Sequence, residues 1–141
     1  MRYVVAIFAA LMVCSAWAGD EVSLFDTTGR AAAYVADDLT IYLWDGKPVA
    51  YLDSDSSGGF QVYGFNGKHL GWFVRGIIRD HGGDGACGVK GTGGLTELEP
   101  LKALKELKPL KSLKELAPLR PLFSLQWSRV PCSLFLREGE S

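Results

Sequence analysis

The sequence predicts an all-β domain of four β-hairpin repeats around a pseudo-fourfold axis, followed by a leucine-, proline- and lysine-rich C-terminal tail. Three observations carry this. Turn signals flanked by apolar, aromatic-rich runs occur four times, small and aromatic residues recur at fixed offsets after each turn, and eleven leucines then follow at every third position.

The clearest hairpin is Val62 to Phe73, where Asn66-Gly67 separates two apolar runs. Asn-Gly in that setting predicts a two-residue type I′ turn, which needs positive φ at both central residues. Asp45-Gly46 repeats the signal between Ile41–Trp44 and Lys47–Leu52. Upstream, Asp26-Thr27-Thr28-Gly29 suits a type I turn closed by a left-handed glycine. Downstream, Asp80-His81-Gly82-Gly83 leads into the least regular copy, Asp84 to Val89.

Aligned on Gly29, Gly46, Gly67 and Gly83, the copies are spaced by 17, 21 and 16 residues, enough for one hairpin each. Four positions after each glycine stand Ala33, Ala50, Gly71 and Cys87, all small; one position further stand Tyr34, Tyr51, Trp72 and Gly88. Adjacent strand residues face opposite sides, so one side of every hairpin meets its neighbours at a crowded place and the other carries a large ring. A lone hairpin is marginal in water, and four can share one core.

Residues 24 to 89 resemble the four-fold beta flower domain family, most specifically through Phe65-Asn-Gly-Lys-His-Leu-Gly-Trp-Phe73 followed by Ile77-Ile-Arg-Asp-His-Gly82. The tail ending near Phe123–Ser128 is also similar to tails of that family. The resemblance implies four hairpins set as petals about an axis. It carries no assigned activity and so supplies no catalytic residues. Gly88 departs from the pattern at the fourth petal, which bears on closure of the ring.

At the N-terminus, Met1-Arg2, an apolar run from Tyr3 to Val13 and Ala16-Trp17-Ala18 form the pattern of a secretory signal peptide over residues 1–18, cleaved after Ala18. The run is too short for a stable membrane span. The alternative is a lipoprotein anchored on Cys14, although Val13 is a poor residue before a lipidated cysteine. The expectation is export, to the periplasm or beyond, with no transmembrane span in the mature chain. Beyond the leader, residues 19–94 form the four-hairpin domain, 95–125 the tail and 126–141 a C-terminal segment. Residues 19–94 carry ten acidic and six basic side chains and residues 95–141 carry six and eight, a balance of −4 against +2. Neither part is basic enough for nucleic acid, and a weak attraction of tail for body is expected.

The tail leucines run without exception from Leu95 through Leu125, and Pro100, Pro109 and Pro118 add a period of nine. On an α-helix, steps of three drift by about 60° and carry the stripe to the opposite face within nine residues. A polyproline II chain has three residues per turn and aligns all eleven. Short helices restarting at each proline are the second reading, and disorder the third, against which the leucine content argues. Beyond the tail, Phe123–Ser128 and Ser133–Leu136 read as short strands.

Chemistry is sparse. His69, His81, Asp80 and Asp84 beside the turns offer metal-ligating or acid–base groups, but petal tips are expected to point apart, and no close-spaced ligand pair accompanies them. Asp53-Ser54-Asp55 resembles a calcium ligand series without the glycine and glutamate that would complete it, and reads as a solvated loop. Gly82–Gly94 lacks a phosphate-loop frame and reads as turn and linker. No Gly-x-Ser-x-Gly occurs. Cys87 and Cys132 either pair as a disulfide or Cys87 is a buried thiol at the small-residue position. Tyr34, Tyr51 and Trp72 either fill gaps between petals or line an aromatic binding surface for a glycan or a proline-rich segment, this tail included. The expectation is a non-enzymatic binding or interaction module, with no catalytic residue, metal or cofactor, whose tail packs on the body, on another copy or on a protein partner. The alternative is an envelope enzyme or small-ligand-binding protein using the hairpin-tip His and Asp residues.

Overall fold

The structure, a computed structural model, describes residues 20–141; the leader, its cleavage site at Ala18 and Cys14 lie outside the described residues. Eight strands follow in chain order: β1 (Val22–Phe25), β2 (Ala31–Val35), β3 (Thr40–Leu43), β4 (Pro48–Ser54), β5 (Phe60–Gly64), β6 (His69–Val74), β7 (Ile77–Arg79) and β8 (Gly85–Gly88). Each pairs antiparallel with the next, and β8 returns to β1 to close a barrel. Closure rests on one register pair, Phe25 with Gly88.

The repeat is a four-fold copy of one hairpin, down to its irregularities. In each of the four hairpins the ladder shifts register three residues after the anchor glycine, leaving Ala32, Val49, Leu70 and Ala86 as the extra residue of a β-bulge. A bulge twists its strand and re-aims neighbouring side chains. Here it turns both the bulged residue and the next one inward. The interior is therefore built in four-membered layers: Leu24, Ile41, Val62 and Ile78; Ala33, Ala50, Gly71 and Cys87; Ala32, Val49, Leu70 and Ala86; and Val35, Leu52, Phe73 and Val89. The first layer is fully buried. At Gly71 even a methyl would press on the Arg79 carbonyl, at 1.8 Å, so in this copy glycine is a steric requirement.

The hairpin turns differ from the type I′ expectation. Each is a five-residue loop in which the glycine N–H donates three residues back: Gly29 to Asp26, Gly46 to Leu43, Gly67 to Gly64, and Gly83 to Asp80. The glycines have φ of 87°, 94°, 90° and 90°, whereas Asp45 and Asn66 do not have positive φ. The side chains of these two residues instead accept from the N–H two residues on, at Lys47 and Lys68. Asn and Asp serve here as turn-bonding acceptors rather than as left-handed residues. Two consecutive positive φ values occur instead between hairpins, at Gly58 (100°) and Gly59 (71°) between β4 and β5 and at Arg75 (50°) and Gly76 (82°) between β6 and β7.

After the barrel the chain crosses the four turns in order. No helix or strand forms between residues 95 and 125. The tail is a belt, held by backbone donation from Glu97 to Gly29, Ala103 to Trp44, Glu106 to Gly46, Ser112 to Phe65, Glu115 to Gly67 and Ser124 to Gly83. Glu97, Glu106, Glu115 and Ser124 are nine residues apart, the period of the prolines. Three residues per turn put every donor on one face. Pro100, Pro109 and Pro118 sit on that face between the donors, at positions where the belt's hydrogen bonds to the turns do not need an N–H. The leucines are not folded into the core, contrary to the expectation that their apolar surface would be covered. All eleven are 93–98% exposed.

The chain ends in a helix, α1 (Cys132–Arg137), rather than a strand. Cys132, Phe135 and Leu136, at helical spacing, bury one face against the core. Phe123–Ser128 is likewise not a strand; Trp127 makes one isolated parallel bridge to Gly85. Cys132 forms a disulfide with Cys87, and Asn66 binds the carbonyls of Glu138 and Gly139, so α1 closes the turn end of the barrel.

The 45-residue separation of the two cysteines makes their bond a constraint on the unfolded chain. Cys132→Ser is expected to lower unfolding free energy by about 2–4 kcal/mol, measured by denaturant titration. Gly67→Ala is expected to cost about 1 kcal/mol or more, because its methyl would lie 2.2 Å from the Leu113 carbonyl, and to speed amide exchange at Ser112 and Glu115 in hydrogen-exchange measurements.

Candidate functional site

The bulges also decide what faces outward. Between successive hairpins lies a groove lined from one side by the residues two and five positions after a glycine, and from the other by residues four and two positions before the next glycine. In the first groove these include Tyr34, Tyr42 and Trp44; in the second, Tyr51, Tyr63 and Phe65. The rings pack closely, with Tyr34–Tyr42 centroids at 5.5 Å and Tyr51–Phe65 at 5.5 Å.

The tail seals both grooves with lysines nine residues apart. Lys102 Nζ lies 4.6 Å from the Tyr34 centroid, and Lys111 Nζ lies 4.1 Å from that of Tyr51. Lys105 and Lys114 reach Tyr42 and Tyr63 at 5.6 and 5.3 Å. An ammonium over an aromatic face is attracted to its quadrupole. The lysines then meet carboxylates: Lys102 and Lys105 at Glu21, Lys108 at Asp38, Lys114 at Asp53. Burial raises the Glu21 pKa, but hydrogen bonds from Lys105 and Lys102 outweigh it and hold the group below its ordinary value. Burial pushes the Tyr34, Tyr51 and Tyr63 hydroxyls up. The aromatic positions singled out from sequence are therefore neither open nor empty. Tyr34, Tyr51 and Trp72 are buried, the first two beneath the lysine face of this chain's own belt. The leucine stripe does not dock there.

In the third groove the roles exchange. Arg79 takes the place of Tyr42 and Tyr63, and the tail contributes Phe123, with the guanidinium 5.2 Å from its ring centroid. Arg79 also donates to the carbonyls of Gly83 and Ser124, at 3.2 and 2.5 Å. Arg120 pairs with Asp55, so the polar loop that resembled a calcium series is tied to the tail. Among the described residues no group of three or more His, Cys, Asp or Glu side chains is placed to hold a metal.

The third groove also brings His69 and His81 together, which the picture of divergent tips did not anticipate. His69 Nδ1 and His81 Nε2 are 3.0 Å apart. Ring planes within 7° and centroids 5.2 Å apart place the rings end to end, sharing one N–H···N hydrogen bond. The cause is local: the Leu70 bulge turns His69 outward beside Trp72. His69 is buried and its Nε2 has no partner. Burial first, and then the neighbouring His81, push its pKa down to about 4. A cavity of about 270 Å³ adjoins the pair, lined also by Asp80, Ser128, Phe135 and Glu138. Asp84 is turned away and accepts from Ser124 Oγ. Asp80 Oδ1 accepts from the Gly82 and Asp84 N–H groups, and Ser128 Oγ accepts from the Val130 N–H. The cavity gathers imidazoles and carboxylates without a hydroxyl hydrogen-bonded to a histidine.

The fourth groove, between β8 and β1, is incomplete. Gly85 and Gly88 replace the hairpin side chains, and Trp127 from the tail covers them, its ring atoms 2.7 and 3.0 Å from where their Cβ atoms would stand. The missing fourth ring is supplied from outside the repeat. A cavity of about 140 Å³ remains there.

Fold and site together define an eight-stranded barrel of four bulged hairpins, girdled and sealed by its own threefold-periodic tail. The family model described as "4-fold beta flower protein" matches residues 22–136, and the chain belongs to that family. No curated protein and no solved structure matches it.

The His69 pKa has a stability consequence. In the unfolded chain the ring takes up a proton near its ordinary value of 6.5, and in the folded chain only near 4. Between these values the unfolded state binds more protons, so stability falls as pH is lowered through that window. Thermal melts from pH 7 to pH 4 are expected to show this decline, and His69→Gln is expected to flatten it.

Proposed function

We propose that this protein is an exported, non-enzymatic interaction module that presents its leucine belt to a protein surface, in the first instance a second copy of itself. One observation carries the reading: eleven leucines stand exposed on a backbone anchored at every hairpin turn. Exposed apolar tracts of this extent mark interaction sites more often than inert surface. Burial within the monomer would be the ordinary fate of leucine, and the belt uses its lysine and donor faces for that purpose instead. A second copy fits because the stripe is self-complementary. Identical residues at identical spacing place the leucines of one belt in the gaps of another, and four of the five tail lysines that would repel, Lys102, Lys105, Lys108 and Lys114, are already paired with Glu21, Asp38 and Asp53. Export is supported by the leader pattern of residues 1–18. Among the described residues no helix is long and apolar enough to cross a membrane.

A second reading, a small-ligand site or enzyme at the His69–His81 cavity, draws on the unpartnered Nε2 and the adjoining Asp80 and Glu138. Among the described residues no hydroxyl or thiol is hydrogen-bonded to either histidine, which sets this reading behind the first.

Sedimentation equilibrium of the protein is expected to show concentration-dependent association. The variant Leu104→Ser/Leu107→Ser/Leu110→Ser is expected to abolish it while changing monomer stability by about 0.5 kcal/mol or less per site. A wild-type monomer at every concentration would reject the second copy as partner, and a large loss of monomer stability in the variant would make the belt a structural element only.

A further inference from the structure

We propose that the fourth groove is a binding site for an alkylammonium group, the place where an external cation completes what the tail supplies elsewhere. The inference is independent of the leucine belt and rests on the nine-residue register. Lys102 and Lys111 each lie over the aromatic ring five positions after a hairpin glycine, Tyr34 and Tyr51. Arg120 follows nine residues later beside Phe123. Counting back nine residues from Lys102 and Lys105 gives Gly93 and Thr96, and both line the fourth groove. At this end the register continues without its cation; at the other end, nine residues after Arg120, Arg129 lies beside Asp26 and Thr27 in a neighbouring cavity and does not line this one.

The receiving face is nonetheless present. Trp127 covers Gly85 and Gly88, where the fourth hairpin has no ring of its own. Phe25 occupies the position that Tyr42 and Tyr63 hold in the first two grooves, and Thr27 that of Trp44 and Phe65. Asp26 lies at the same cavity; its Oδ1 accepts from the Thr28 N–H and hydroxyl and from the Arg30 N–H. Arg30, which leaves the same turn, is drawn to Glu97 at 3.7 Å. The cavity of about 140 Å³ suits a methylated or methylene-bearing ammonium rather than a sugar ring or a peptide backbone. Aromatic faces with a carboxylate beside them are the surroundings in which a desolvated ammonium gains most from a π system. The direction of approach is set by Gly93, whose Cβ would point at Trp127, 3.7 Å from its ring. A lysine side chain at this position would enter the groove as Lys102 and Lys111 enter theirs.

The test is a titration of the labelled full chain with n-butylammonium, followed by amide and indole NMR, with 1-butanol as the neutral isostere. Saturable shifts are expected at Gly88, Thr92, Gly93, Gly94 and the Trp127 indole. Binding of 1-butanol is expected to be weaker by about tenfold, the order one desolvated cation–π contact supplies. Gly93→Lys is expected to abolish the response by filling the groove in cis, with hairpin resonances elsewhere unchanged. Thr96→Lys, at the register of Lys105 and Lys114, provides the same test if Gly93→Lys disturbs the linker. Nα-acetyl-lysine amide is the second arm: tighter binding than n-butylammonium assigns the site to a lysine of another polypeptide, and weaker binding to a free amine. Equal shifts with 1-butanol, no saturable shift in the millimolar range, or undiminished binding in both lysine variants would overturn the proposal.

Discussion

The rest of the structure depends on the bare Cα of four turn glycines. At Gly29, Gly46, Gly67 and Gly83 the positive φ closes the turn, and the missing side chain leaves room for a carbonyl of the tail. A methyl at these positions would stand 2.0–2.4 Å from the oxygens of Leu95, Leu104, Leu113 and Leu122. Those leucines are nine residues apart. The glycine carbonyls then accept from Glu97, Glu106 and Glu115, and that of Gly83 from Ser124. The contact is reciprocal in space, since the tail oxygen nests where a Cβ would be and the tail N–H two residues on binds the turn. Hairpins that are marginal alone thus gain both a common interior and a common outer girdle.

The girdle explains how a barrel so small covers both faces of its sheet. An antiparallel sheet usually leaves its outer face to water. Here Tyr34, Tyr51 and Trp72 point outward and are still buried, the two tyrosines beneath lysines of the tail, most of which reach Glu21, Asp38 or Asp53, and Trp72 against His69 and His81. Long cationic side chains cover apolar surface while keeping their charge wet. Each face of the threefold tail therefore has one task. One donates to the turns, one lays cations over the rings, and the third holds the leucines clear of the body. Where the register meets Arg79, the cation and the ring change sides, and Phe123 answers it. Where it meets Gly93, no lysine or arginine lines the groove, although Arg129 and Arg30 stand on the far side of Asp26, and the groove stays open.

The sequence allowed the four hairpins, their small-residue layer and the alignment of the leucines to be read, because these depend on short-range periods: two in strands, three in a polyproline-like chain. Asp26-Thr-Thr-Gly29 disclosed the turn that all four copies use, while Asn66-Gly67 suggested a tighter one. The two are hard to separate from a dipeptide, since Asn serves equally as a left-handed residue and as a side-chain acceptor. Ser133–Leu136 read as a short strand because its helical face, Cys132 with Phe135 and Leu136, spans barely one turn. The meeting of His69 and His81 had a trace in the sequence, two histidines twelve residues apart on neighbouring hairpins. What was lacking was the bulge at Leu70, which reverses the side on which His69 emerges.

By itself the sequence determined the class of fold, the four-fold repeat and the threefold period of the tail, for each follows from local spacing that any conformer of the chain must respect. The tertiary structure decided which face of the tail meets the body, that Cys87 and Cys132 are joined, that Trp127 replaces the ring missing at Gly88, and that the leucines remain outside. These are choices between surfaces of similar composition. They turn on where hydrogen-bond acceptors, carboxylates and bare glycines fall in space. The hairpins are spaced unevenly along the chain, by 17, 21 and 16 residues, and only the closed ring of the barrel brings them to the even nine-residue stride of the tail.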